Sequence, residues 1–185
     1  MADGPTPPAT HTRSEGPVTV SLTEAPLSVP SVMDQVRSPR AGAIVLFVGT
    51  TRDSFDAKPV QSLTYTAYVP LALHTLRSVA QAVHVQHGLT GIAITHRLGE
   101  VPIGQESIII AVSAPHRHEA WRAAQAALEE CKAKVEVWKR EEFADGGVWR
   151  ANRDGIAGRK AQGKDGTDTE GAKISSHLMQ TMDGA

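Results

Sequence analysis

The chain has 185 residues, 41% hydrophobic and 21% charged, with a formal net charge of −1 at pH 7. This apolar content supports one folded domain with trimmings, and the charge balance excludes a globally basic nucleic-acid binder while allowing a local basic patch. A single cysteine, Cys131, excludes an internal disulfide framework or a cysteine-based zinc cluster; no run approaches the ~18 apolar residues of a membrane span, and the first residues lack the apolar core of a signal peptide, so a soluble cytosolic protein is expected.

Residues 1–17, "MADGPTPPATHTRSEGP", are rich in Pro, Gly, Thr and Ser, with almost nothing to bury, and a disordered extension is expected there. "VTVSL" (18–22) reads as a first strand, and "LSVPSVMDQVRS" (27–38) as a short helix with Pro30 in its first turn. "GAIVLFVG" (42–49) is a continuous apolar run rich in β-formers, hence a buried strand. "VQSLTYTAY" (60–68) alternates Ser62, Thr64 and Thr66 against Leu63, Tyr65 and Ala67, giving a strand with two usable faces. Pro70 opens a helix whose stripe is Leu73, Leu76, Val79, Ala80 and Val83, and Gly88 stops it.

"GIAITHRLG" (91–99) and "ESIIIAVSA" (106–114) read as strands joined by a Gly- and Pro-containing turn. Residues 117–132 form an Ala-rich helix with Trp121, Ala124, Leu128 and Cys131 at helical spacing, followed by a strand at 134–140 and a loop to Trp149. The order β-α-β-β-α-β-β-α-β defines an α+β sandwich with a largely antiparallel sheet. From 154 to 185 the chain turns Gly-, Lys-, Asp- and Ser-rich, and a disordered tail is expected.

Cations at element ends carry the chemistry. In the strand 134–140, Lys134, Glu136 and Trp138 share one face, while Val135, Val137 and Lys139 share the other. An ammonium held against valines tends to lose its proton unless an anion pairs with it. Lys139 is therefore either the floor of a site or a strand-end lysine snorkelling to water. Trp138, on the other face, is expected to pack. His116 and Arg117 stand where a strand breaks into a helix, at unpaired N–H groups that suit an anion; a solvated pair is the alternative. "GTTRD" (49–53) adds hydroxyls and the Arg52 fork, fit for phosphate or carboxylate or for a simple turn. Lys132 suits the C-terminal dipole of its helix. His96, inside a strand, is expected to be a hydrogen-bonded structural residue, and Cys131 a buried thiol rather than a nucleophile. No Walker loop, GxGxxG or HExxH occurs, and His116 with His118 is poor metal-ligand spacing.

"GAIVLFVGTTRD", "LTYTAYVPLA", "HRLGEVPIGQESIIIAVSAPHR" and "CKAKVEVWKRE", with a following Trp149, occur in the order and spacing of one family. Over about residues 18–153 the chain resembles the MoaE family, the large catalytic subunits of molybdopterin synthase, particularly its eukaryotic branch. The resemblance implies an α/β hammerhead fold and a homodimer of large subunits. Each would bind a small ubiquitin-like subunit with a C-terminal thiocarboxylate, making a heterotetramer. It implies transfer of two sulfurs to cyclic pyranopterin monophosphate, with no cofactor and no metal. By position, Arg52, His116 and Arg117 match the family's anion-binding residues, and Lys132 and Lys139 its pocket lysines. Arg140 and Glu141 match the residues after the second lysine, and Arg153 a basic position near the domain end. The expected roles give Arg52, His116 and Arg117 the phosphate and pterin, Lys132 the thiocarboxylate, and Lys139 the acid–base steps. The chain departs from its relatives at Glu136, where proline is usual, and at Thr64 and Thr66, where glutamates are common; Pro115 is an addition.

A catalytically inactive docking module for a ubiquitin-like tail is a second reading, opposed by the intact lysine pair. A nucleic-acid-binding domain is a third, opposed by near-zero net charge and 4% aromatic content.

Overall fold

The computed structural model describes residues 7–55, 58–143, 146–151 and 159–160. In chain order the elements are β1 (Thr10–Glu15), β2 (Val18–Thr23), α1 (Val29–Asp34), β3 (Ala43–Thr50), β4 (Ser54–Phe55), β5 (Lys58–Pro59) and β6 (Ser62–Ala67). They continue with α2 (Val69–His87), β7 (Gly91–Arg97), β8 (Gly99–Pro102), β9 (Glu106–Ala114), α3 (Arg117–Lys134), β10 (Val137–Phe143), β11 (Gly146–Ala151) and β12 (Arg159–Lys160).

The strands form two five-stranded sheets, ordered β1-β2-β7-β9-β3 and β12-β11-β10-β6-β8, with β4 and β5 as a separate pair. Only β2 with β7 runs parallel among the described pairs, so the α+β, mostly antiparallel class expected from the sequence is the one observed. The central strands β7 and β9 are almost wholly buried, because both faces of the first sheet are covered. On one face, Ile92, Ile94, Ile110 and Val112 meet α2 and α3 in the main core. On the other, Ala93, Ile109 and Ala111 meet Val32 and Val36 from the α1 segment.

The helices follow their sequence signals. Pro70 stands in the first turn of α2, and Gly88 ends it at φ 58°, in the left-handed region that glycine adopts freely. On α3 the buried line is Ala120, Ala123, Ala124, Ala127 and Cys131. Trp121, expected on that stripe, is 65% exposed: it is one residue, or ~100°, off the buried line. Trp138, expected to pack, is 53% exposed on the outer side of the second sheet.

Several boundaries differ from expectation. Residues 10–15, assigned to a disordered extension, form β1. Its side chains are exposed, so no burial pattern announces it. Instead, hydroxyls pair across to β2, Thr10 with Thr23 at 2.6 Å and Thr12 with Ser21 at 2.9 Å. Arg77 on α2 adds an ion pair to Glu15 at 2.8 Å. The expected strand at 134–140 begins only at Val137, because α3 continues through Lys134 and its closing bond runs from Val135 N–H to Cys131 O. The expected loop to Trp149 contains the β10–β11 hairpin. Of the 154–185 tail, Arg159–Lys160 pairs with β11 as β12; the rest of that tail and Arg153 lie outside the described residues.

Candidate active site

A cavity of about 400 Å³ opens between the two sheets, beside the C-terminal end of α3. Phe47, Leu63, Ile108, Val135 and Val137 supply apolar wall, and Arg52, Lys132, Lys139 and Glu141 bring charge to it. The register of β10 against β6 explains which residues arrive. Val137 lies opposite Ala67, Lys139 opposite Tyr65, and Glu141 opposite Leu63. Alternation turns these β10 residues to the cavity and Trp138, Arg140 and Glu142 to the other side.

Lys139 thus shares its face with valine, as the sequence implied, and it does not snorkel: its side chain is 17% exposed. Its Nζ lies 3.3 Å from Glu141 Oε1, and Glu141 is 1% exposed. A carboxylate so deeply buried demands charged or hydrogen-bonded company, and the lysine two residues earlier supplies it. Arg140 instead meets Glu142, Nε to Oε1 at 2.9 Å, on the opposite face and away from the cavity.

Three cavity residues were not anticipated as part of a site. Tyr65 is 6% exposed and packs edge-on against His96, with ring centroids 4.9 Å apart. Burial pushes the Tyr65 hydroxyl above the ordinary phenol range; a hydrogen bond with Ser107 opposes this and nearby Glu141 adds to it. His96 is the hydrogen-bonded structural histidine expected, with Nδ1 2.8 Å from Arg97 O. It also lines the cavity. Burial lowers its pKa to about 4, with the Arg97 carbonyl opposing, so the ring is neutral at pH 7. Ser107 lines the cavity too and donates to Gly49 O at 3.1 Å. Alternation in "LTYTAY" put Tyr65 on one face, but only its long-range pairing with Lys139 makes that face a cavity wall.

Cys131 is buried as expected, and burial with Glu130 beside it pushes its thiol up to about 12. It lines the cavity as an un-ionised wall residue.

Arg52 reaches the cavity from the loop after β3, where the register shifts between Gly49 and Thr50. An added Cβ at Gly49 would stand 2.8 Å from Ile108 Cγ2, so glycine lets β3 lie close to β9 here. Thr51 steadies the loop, donating from N to Gln105 O at 3.1 Å and accepting from Gly104 N at 2.8 Å.

His116 and Arg117 are exposed at the N-terminus of α3. Lys132 lies fifteen residues further along the same helix (117 to 132), or ~22 Å at 1.5 Å per residue. One chain therefore does not bring His116 and Arg117 to the cavity. The departures from the family pattern also lie outside it. Glu136 Oε1 accepts from Thr75 Oγ1 at 3.2 Å, tying the start of β10 to α2. Thr64 and Thr66 stand opposite Arg140 and Trp138 on the outer face. Pro115 is accommodated by Gly42, where any Cβ would collide with the Pro115 carbonyl.

A concave, largely apolar pocket with a few convergent cations is the form taken by sites for small anionic ligands. Fold and pocket together define a two-sheet α+β protein with a cation-lined cleft. The chain belongs to the MoaE family: residues 22–134 match the family model described as MoaE protein. It is 66% identical over 142 residues to the molybdopterin synthase catalytic subunit of Pyricularia oryzae, covering 76% of this chain and 78% of that one. It is 62% identical over 149 residues to the Neurospora crassa protein of the same name, covering 80% and 72%. Among solved structures, molybdopterin synthase from Staphylococcus aureus superposes with a TM-score of 0.67 at 31% identity, covering 70% of this chain and 94% of that one.

Proposed function

We propose that the chain is the catalytic subunit of a molybdopterin synthase. It would move two sulfurs in succession from the thiocarboxylated C-terminus of a small ubiquitin-like subunit to cyclic pyranopterin monophosphate, in the cytosol. The observation that carries this reading is the buried Lys139–Glu141 pair on the floor of a cavity that also receives Lys132 and Arg52. Family membership and relatives named as catalytic subunits support it, and a catalytic subunit presupposes a second one.

The donor tail, the substrate phosphate and the dithiolene product are all anionic, so fixed cations serve each stage. Lys132, on the last turn of α3, orients and polarises the thiocarboxylate. Lys139 moves protons at the carbons that accept sulfur, a role that needs an amine in reach of the reacting atoms. Glu141 holds Lys139 in place. Arg52 takes the phosphate at the cavity rim. Arg140 faces away and contributes to the outer surface rather than to the substrate.

His116 and Arg117 stand a helix length from this cavity. If they serve the same pterin, they reach it from a second copy of the chain, which makes the homodimer part of each site. Reconstitution tests the reading. Molybdopterin must form with a thiocarboxylated small subunit and must not form with its carboxylate form. A tight complex with neither substrate turnover nor pterin binding would instead describe a docking module.

A further inference from the structure

The catalytic groups just assigned come from two different sheets, and something must fix their spacing. Lys139 and Glu141 ride on β10 of the second sheet; Arg52 follows β3 of the first. Tyr65, on β6, is the cross-strand partner of Lys139. Its hydroxyl meets the Ser107 side chain on β9, and Ser107 donates to the Gly49 carbonyl on β3. The hydrogen-bonded chain thus links Tyr65, Ser107 and the Gly49 carbonyl. It crosses from one sheet to the other along the cavity wall and ends at the register shift that launches Thr50 and Arg52. The tyrosine ring is fixed independently by its edge-on contact with His96.

We propose that Tyr65 and Ser107 form a positioning bridge that sets the distance between Lys139 and the Arg52 loop, and so the geometry in which sulfur is transferred. Neither is a catalytic residue; both act through the groups they hold. The inference rests on the proposed synthase activity for its kinetic consequence, but not for its structural one.

The test uses Tyr65→Phe, which keeps the ring and its His96 contact, then Ser107→Ala and the double variant, each assembled with the thiocarboxylated small subunit. A misplacement of about an ångström costs on the order of 100-fold, so Tyr65→Phe should lower single-turnover rate by roughly 10- to 100-fold while leaving small-subunit affinity unchanged. Because both residues act as one bridge, the double variant should be no slower than the slower single one. In the isolated protein, amide hydrogen exchange at Gly49–Arg52 should accelerate several-fold in Tyr65→Phe. Rates within about twofold of the unmodified protein, or effects that multiply in the double variant, would overturn the bridge; so would unchanged exchange. An unmodified protein that makes no product contradicts the synthase reading, and the exchange measurement still decides the bridge.

Discussion

Lys139 Nζ stands 3.3 Å from Glu141 Oε1, two residues along one strand, with both side chains turned into the cavity. The pair makes a specific forecast about Lys139→Ala. Turnover should fall by on the order of 10²- to 10⁴-fold, the usual range for a lost acid–base group. The substitution also withdraws compensation from a carboxylate that is 1% exposed, so stability should fall by about 3 kcal/mol. Adding Glu141→Gln should restore most of that stability and none of the turnover. Chemical denaturation and a single-turnover assay on the same samples separate the two effects; recovery of turnover in the double variant would contradict the assignment.

The distance from His116 and Arg117 to Lys132 leads to a mixing experiment. Chains carrying Arg117→Ala and chains carrying Lys139→Ala should each be poorly active alone. If each site draws on both copies, random exchange makes half the dimers mixed, with one intact site in each, and restores roughly a quarter of full activity. No recovery on mixing would put Arg117 and Lys139 in sites of a single chain or remove Arg117 from the pocket.

His96 gives the fold a pH dependence of known sign. Its ordinary pKa is 6.5 and its folded value about 4, so between those values the unfolded chain binds the extra proton. The stability it contributes is complete above about pH 6.5, is lost as pH falls toward about 4, and levels off below. The size is about 3 kcal/mol. Urea unfolding across pH 7.5 to 4 should show this component in the unmodified protein and not in His96→Gln; parallel curves would contradict it.

Cys131 borders the cavity, yet its thiol is buried and held protonated, with a pKa pushed up to about 12. It should react with alkylating reagents at pH 8 only as fast as the protein opens. Cys131→Ala should leave sulfur transfer within about twofold of normal, at a cost of about 1 kcal/mol in packing. A large loss of turnover with stability intact would make the thiol a sulfur carrier after all.

How much of this could be read before the fold was known differs by element. The stripe of α2 and the apolar runs of β3 and β9 were legible because burial wrote them as periodicity. The apolar face under Lys139 was legible for the same reason. β1 was not, because an edge strand held by hydroxyl pairs and one ion pair carries no apolar signal. Trp121 misled through its size: spacing by three from Ala124 placed it near the stripe, and only the alanines beside it show where α3 packs closely. Tyr65, Ser107 and His96 escaped because cavity walls depend on register between distant strands, which local alternation does not set. The separation of Arg117 from Lys132 was in the sequence throughout, as the length of one helix.

The most direct measurement is a single turnover with the full-length chain, a thiocarboxylated small subunit and cyclic pyranopterin monophosphate, with molybdopterin read out as its fluorescent oxidation product. Product should form only with the thiocarboxylate and should nearly vanish in Lys139→Ala. A stable complex that yields no product, or product undiminished by Lys139→Ala, would contradict the claim that this cavity is where sulfur is transferred.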